Sequence, residues 1–185
     1  MTGPLEREIK LRFDSGASAR DAVLALGARP LRPRRLQADA LLDRDGAALR
    51  SAQCALRVRI EDGSAFVTFK GPPQASTMKV REEIETSIGD GPIAITLFER
   101  LGYTVWFRYE KYREEFELGG ITIAIDETPI GPYVELEGQA EGIESIASAL
   151  GRAPSDYVVA SYRSLFAQHC AERGVEPSDM LFDQR

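Results

Sequence analysis

The hydrophobic positions of this chain recur mainly with a period of two, which is the repeat of a strand with one covered face. The first stretch, Leu5 to Phe13, places Leu5, Arg7, Ile9, Leu11 and Phe13 on one side and Glu6, Glu8, Lys10 and Arg12 on the other. The same alternation predicts strands over Leu36–Asp43, Ala55–Ile60, Ala65–Lys70, Met78–Ser87, Val105–Leu118, Ile121–Asp126 and Tyr133–Glu137. Glu61-Asp62-Gly63-Ser64 and Gly119-Gly120 are turn sequences between consecutive strands. Helical spacing, with Gly27 and Gly102 as stops, predicts helices over Ala17–Leu26 and Pro92–Leu101. Two more are expected over Ile143–Leu150 and roughly Ser155–Arg173, followed by a loosely held tail from Val175 to Arg185.

The polar faces are what set this pattern apart. Cations group on the middle strands: Arg57 with Arg59, Lys70, Lys79 with Arg81, and Lys111 with Arg113. Carboxylates lie in phase on the first strand, Glu6 and Glu8, and on the last, Glu135 and Glu137. If those two strands are neighbours, the antiparallel sheet closes on itself and the four carboxylates form one cluster. The apolar face then points outward and needs a wrapping of helices, which the chain can supply. A charged interior is costly unless each charge is paired, metal-bound or met by a ligand. A tunnel that takes a polyanion together with a divalent cation satisfies that requirement.

Composition narrows the chemistry further. At 185 residues and 43% hydrophobic, the chain is long enough for one sizeable core. Its formal net charge of −6 opposes non-specific binding to nucleic acid or to an anionic membrane. No apolar run approaches a membrane span. Cys54 and Cys170 are far apart and read as free thiols, hence a cytoplasmic protein. His169, the only histidine, falls in the expected last helix, which removes histidine catalysis and histidine-rich metal sites. What remains is oxygen-ligated Mg²⁺ or Mn²⁺ and phosphate held by lysine and arginine. Phosphoryl transfer needs mainly positioning and charge stabilisation, so a site of this kind can perform it. Trp106 reads as a packing residue, Tyr133 as either a wall hydroxyl or a substrate contact, and Glu115 and Glu117 as solvated groups beyond the tunnel mouth.

The order of these motifs resembles the CYTH superfamily, the triphosphate tunnel metalloenzymes. Glu6-Arg7-Glu8-Ile9-Lys10 matches its ExExK signature, and Ala55-Leu56-Arg57-Val58-Arg59 its LRxR strand. Thr68-Phe69-Lys70-Gly71 is similar to TxKG, Arg81-Glu82-Glu83 with Glu85 to the next strand, and Lys111-Tyr112-Arg113 to KxR. Asp126 and Gly131-Pro132-Tyr133-Val134-Glu135-Leu136-Glu137 resemble the acidic closing strand, and Ser161-Tyr162-Arg163-Ser164-Leu165 the terminal-helix pattern. Residues 38–45 keep only part of the family's aromatic-Asp-Thr-Pro segment.

The resemblance covers about residues 5–168 of a single domain, 1–185. It implies an α+β fold: a closed eight-stranded antiparallel β-barrel with helices packed outside. It implies metal ligation by Glu6, Glu8, Asp126, Glu135 and Glu137. Substrate contacts are implied for Lys10, Arg57, Arg59, Lys70, Lys79, Arg81, Glu83, Lys111 and Arg113. Catalysis falls to Glu6, Glu8, Lys10, Arg57, Lys111 and Glu135. The implied activity is divalent-metal-dependent hydrolysis of a triphosphate, inorganic tripolyphosphate first, by a monomer or homodimer. Cyclisation of ATP to cyclic AMP and non-catalytic polyphosphate binding are the two alternatives.

Overall fold

The computed structural model describes residues 4–183, so Met1 to Gly3 and Gln184 to Arg185, the two ends of the expected domain and tail, lie outside the described residues. Eight strands close into one antiparallel barrel in the order β1-β5-β4-β3-β2-β6-β7-β8. Their bounds are β1 Leu5–Arg12, β2 Arg29–Arg44, β3 Ala55–Glu61, β4 Ser64–Lys70, β5 Lys79–Ile88, β6 Tyr103–Leu118, β7 Ile121–Thr128 and β8 Gly131–Glu137. The helices are α1 Gly16–Ala25, α2 Ala48–Ser51, α3 Gly91–Arg100, α4 Ala140–Ala149 and α5 Tyr162–Arg173. The expected α+β barrel is therefore the architecture found, closed by the pairing of β1 with β8.

The apolar side of the alternation faces outward, under helices. Ile9, Leu11, Phe116, Ile123, Val134 and Leu136 are buried against Val23 of α1 and Ile143 and Ala147 of α4. Leu42, Leu56 and Val58 pack with Ile95 and Phe98 of α3. The helix starts are written locally. The Ser15 hydroxyl accepts from the Ser18 amide at 3.0 Å, and the Asp90 carboxylate accepts from the Ile93 amide at 2.8 Å. Only glycine fits at 91, because a Cβ there would stand 2.5 Å from Ile60 Cγ1.

Three expectations are corrected. The second strand begins at Arg29 rather than Leu36. Pro30 and Pro33 are tolerated because β3 runs out at Glu61, opposite Gln37, leaving the start of β2 paired on the β6 side alone and shifted in register around both prolines. The last helix begins at Tyr162, not near Ser155. Ser161 caps it, and Val158 is instead hydrogen-bonded in both directions to the backbone of Lys10, where β1 outruns β5. The tail is docked: Met180 is 1% exposed and its backbone pairs with Arg108 and Glu110, filling the side of β6 that β7 does not reach.

At the end of the barrel where β1 finishes, α5 closes part of the opening from inside. Tyr162 and Leu165 pack on Phe107, Tyr109 and Tyr133, whose side chains share the inner face. Tyr133 is 1% exposed and its hydroxyl accepts from Arg12 Nη1 at 2.9 Å, so it is a wall residue of this plug.

Candidate functional site

Alternation sends one face of every strand into the barrel, and the result is a cavity of about 810 Å³. Glu6, Glu8, Lys10, Arg57, Arg59, Lys70, Lys79, Arg81, Glu83, Lys111, Arg113, Glu135 and Glu137 all line it. Asp126 does not; it is fully buried on the inner face, covered by Lys111, Arg113 and Tyr162.

The seam between β1 and β8 sets the charge layout. Glu8 stands opposite Glu137, and Lys10 opposite Glu135. Lys10 Nζ lies 3.0 Å from Glu8 and 3.1 Å from Glu135. Glu8 also takes the Lys79 ammonium. Burial opposes the charge on Glu8, but Lys10, Lys79 and Lys70 together hold its carboxyl well below the usual range. Glu135, likewise opposed by burial and by Glu8, is held at about 2 by Lys10, Arg113 and Lys111.

The other two carboxylates behave oppositely. Glu6 rises to about 8 through burial and the charge of Glu8, although Lys70 lies 2.7 Å away. Glu137 makes no ion pair among the described residues; burial and the charges of Glu135, Glu8 and Glu83 push it up to about 7. Glu6, Glu8 and Glu135 are each met by a lysine or arginine, and Glu137 alone of the four stands outside any ion pair among the described residues. Clustered hard oxygen donors of this kind fit Mg²⁺ or Mn²⁺, although no three Asp, Glu, His or Cys groups among the described residues stand together in a ready-made ion site.

Asp126 holds cations rather than presenting itself to the cavity. Arg113 reaches it through Nε at 2.7 Å and Nη2 at 2.6 Å, Lys111 at 2.8 Å, and the Tyr162 hydroxyl donates at 2.6 Å. Burial and the adjacent Arg113 lower Lys111 to about 8. Across the barrel, Arg59 is bidentate to Asp39 at 2.9 and 3.3 Å, and Lys70 bridges Glu6 and Glu83. Arg57 donates to Thr68 at 3.0 Å. The Nε atoms of Arg57 and Arg81 are buried without a hydrogen-bond acceptor, which suits them to an anion in the cavity.

Several wall residues were missed by the sequence reading. Arg35 and Gln37 line the cavity from β2 and Glu61 from β3, with Asp39 buried beneath Arg59. Gln37 and Asp39 lie in phase in the expected strand 36–43 but are not singled out by it, the prolines hide Arg35, and Glu61 reads as part of the turn. Glu115, expected beyond the mouth, lines the cavity and takes Arg35 Nη2 at 2.9 Å; Glu117 lies outside, on Arg29. Trp106 also reaches the cavity. His169 is on α5, beside Arg173, away from the cavity wall.

The CYTH domain family model matches residues 4–152. A Methanocaldococcus jannaschii protein provisionally named an adenylate cyclase is 34% identical over 137 residues, covering 72% of this chain and 76% of its own length. A crystal structure from Vibrio parahaemolyticus, also provisionally named an adenylate cyclase, superposes with a TM-score of 0.78 at 21% identity, covering 89% of this chain and 99% of that one. A Pyrococcus horikoshii structure gives 0.75 at 26% identity, with 89% and 99% covered. A Hippeastrum protein, provisionally an adenylyl cyclase and described as having a dominant triphosphatase activity, gives 0.65 at 17% identity, with 96% and 98% covered.

Proposed function

This chain belongs to the CYTH domain family, and we propose that it hydrolyses a triphosphate with Mg²⁺ or Mn²⁺, inorganic tripolyphosphate being the simplest substrate. The observation that carries the reading is the division of charge in the tunnel. Lysines and arginines line its wall, four carboxylates stand together along β1 and β8 with Glu137 outside any ion pair among the described residues, and no histidine lines it.

The residues divide the work. Arg57, Arg59, Lys70, Arg81, Lys111 and Arg113 bind phosphate oxygens, Arg59 and Arg113 through the donors that Asp39 and Asp126 leave free. Asp126 and Tyr162 orient Lys111 and Arg113 and keep their side chains fixed while substrate exchanges. Glu6, Glu8, Glu135 and Glu137 would hold the divalent ion, which supplies charge neutralisation and polarisation of the phosphoryl group when bound. Lys10, fixed between Glu8 and Glu135, places a permanent positive charge on the phosphorus side of the seam.

Cyclisation of ATP is the second reading, supported by the name carried by the M. jannaschii relative. Both reactions bind the same triphosphate, so one assay panel separates them. The purified protein is offered tripolyphosphate, thiamine triphosphate and ATP with Mg²⁺ or Mn²⁺, and phosphate and cyclic AMP are measured together. Phosphate release from tripolyphosphate, abolished by chelator and inhibited by excess Ca²⁺, is the expected result. Cyclic AMP formation with little tripolyphosphate turnover would replace hydrolysis by cyclisation, and tight binding without turnover would leave a binding module.

A further inference from the structure

The tunnel's two ends differ in chemistry. Where β4 and β7 begin, the wall carries Glu61, Glu85, Glu115 and Glu137 together with Arg32 and Arg35, and both arginines are taken up by Glu61 and Glu115. The opposite end is built from the connections 45–54 and 71–78 and from the start of α5. These contribute Arg50, Gln53, Gln74, Met78 and Arg163 to the cavity wall, and no carboxylate among the described residues.

Two cations stand at this second end over one aromatic ring. The Arg50 guanidinium lies 4.3 Å from the centroid of Trp106, and Arg163 lies 5.8 Å from it. Trp106 is there because of a bulge: β2 pairs Leu41 with Phe107 and Leu42 with Val105, so Trp106 is skipped in the ladder and its side chain is re-aimed. Arg50 is steadied by Asp43, which accepts from its Nε at 2.9 Å and from the amides of Leu49 at 2.8 Å and Arg50 at 3.1 Å. The same connection holds Ala47 and Gln53 in the left-handed region, each at φ 56°, a conformation kept only where the surroundings impose it. Arg163, by contrast, has no carboxylate at ion-pairing distance among the described residues; its contacts there are the rings of Trp106 and Phe107.

We infer that the polyanionic substrate enters and leaves through this end, and that Arg163, assisted by Arg50, captures it. The inference rests on the triphosphate reading of the tunnel. A protein of net charge −6 repels a triphosphate over most of its surface. A cleft lined by one sign of charge and by low-dielectric groups focuses the field, so an opening without carboxylates is the favourable route in. At the far end the arginines of the wall, Arg32 and Arg35, are already held by Glu61 and Glu115, beside the Glu137 carboxylate, which has no ion pair among the described residues. Neither arginine touches the reacting atoms in this scheme; both act on capture.

The test compares two charge reversals that change net charge equally, Arg163→Glu at this end and Arg29→Glu at the other, where Arg29 is exposed and paired with Glu117. KM and kcat for tripolyphosphate are measured at low and high ionic strength, alongside calorimetric binding of tripolyphosphate without metal. Arg163→Glu is expected to raise KM by roughly tenfold at low ionic strength with kcat unchanged, the effect shrinking in salt. Arg163→Gln, which removes charge without adding any, should give an intermediate rise, and Arg29→Glu none. Equal effects at both ends, or a fall in kcat with KM unchanged, would overturn the inference while leaving the triphosphate reading in place. Failure of the wild-type protein to bind tripolyphosphate would overturn both.

Discussion

Glu8 of β1 faces Glu137 of β8 across the seam that closes the barrel, yet the two carboxylates sit in opposite electrostatic states. Glu8 is clamped by Lys10 and Lys79 and stays ionised, whereas Glu137 has no ion pair among the described residues and is raised to about 7. Neutralising them therefore has different consequences.

Glu137→Gln removes repulsion and breaks no ion pair, so its melting temperature should hold or rise while Mg²⁺-dependent phosphate release is lost. Glu8→Gln should lose activity too, but it leaves Lys10 and Lys79 short of a buried counter-charge and should melt lower. Thermal melts and a phosphate-release assay on both variants check this. Equal melting shifts, or full activity in either, would contradict it.

Tyr162→Phe deletes one donor to Asp126 and changes little else in the plug. A hydrogen bond to a buried charged group contributes about 1.5–3 kcal/mol, so urea unfolding should show a loss in that range. Because Lys111 and Arg113 still hold Asp126, KM for the triphosphate should rise only modestly.

Glu61 gives a pH signature. Burial opposes its charge, but Gln37, Arg32 and Arg35 lower its carboxyl from 4.5 to about 2. A depressed folded-state pKa means stability that is fully present above about 4.5 and is lost as pH falls toward about 2. Glu61→Gln should accordingly be less stable than wild type at pH 7, with the difference closing through that acid window. Denaturant titrations at several pH values measure it; a gap that stays constant with pH would refute the assignment.

Met180→Ala tests the docked tail. Truncating a buried methionine costs about 2–5 kcal/mol where the site cannot collapse. Met180 does not line the cavity but is buried in one cluster with Tyr109 and Tyr162, which do, so stability should fall while KM for tripolyphosphate changes little. A variant as stable as wild type would mean that the tail contributes nothing to the barrel.

Much of the site was legible because strand alternation reports directly which side chains share a face. The pairs Glu6 with Glu8, Arg57 with Arg59 and Lys111 with Arg113 are two residues apart, and that spacing alone puts each pair on one wall. What escaped was whatever depended on a neighbour. Pro30 and Pro33 argue against a strand unless β3 is known to end at Glu61, and without the start of β2 Arg32 and Arg35 cannot be placed inside. Trp106 looked like packing because only its register against Leu41 and Leu42 shows the bulge that turns it to the mouth.

By itself, then, the sequence determined the strands, their charged faces and the closure that brings Glu8 to Glu137, since these follow from local periodicity and from the cost of leaving in-phase charges unmatched. Only the tertiary structure decided how those charges divide. Asp126, in phase with the acidic residues, is covered on the inner face by Arg113, Lys111 and Tyr162, which come from β6 and α5. Among the described residues, Glu137 is left without an ion pair while Glu8 is clamped, and one end of the tunnel offers Arg163 free of carboxylates while at the other Arg32 and Arg35 are paired with Glu61 and Glu115. Burial and the distances between charges far apart in sequence set ionisation and pairing, and those distances exist only once the barrel has closed.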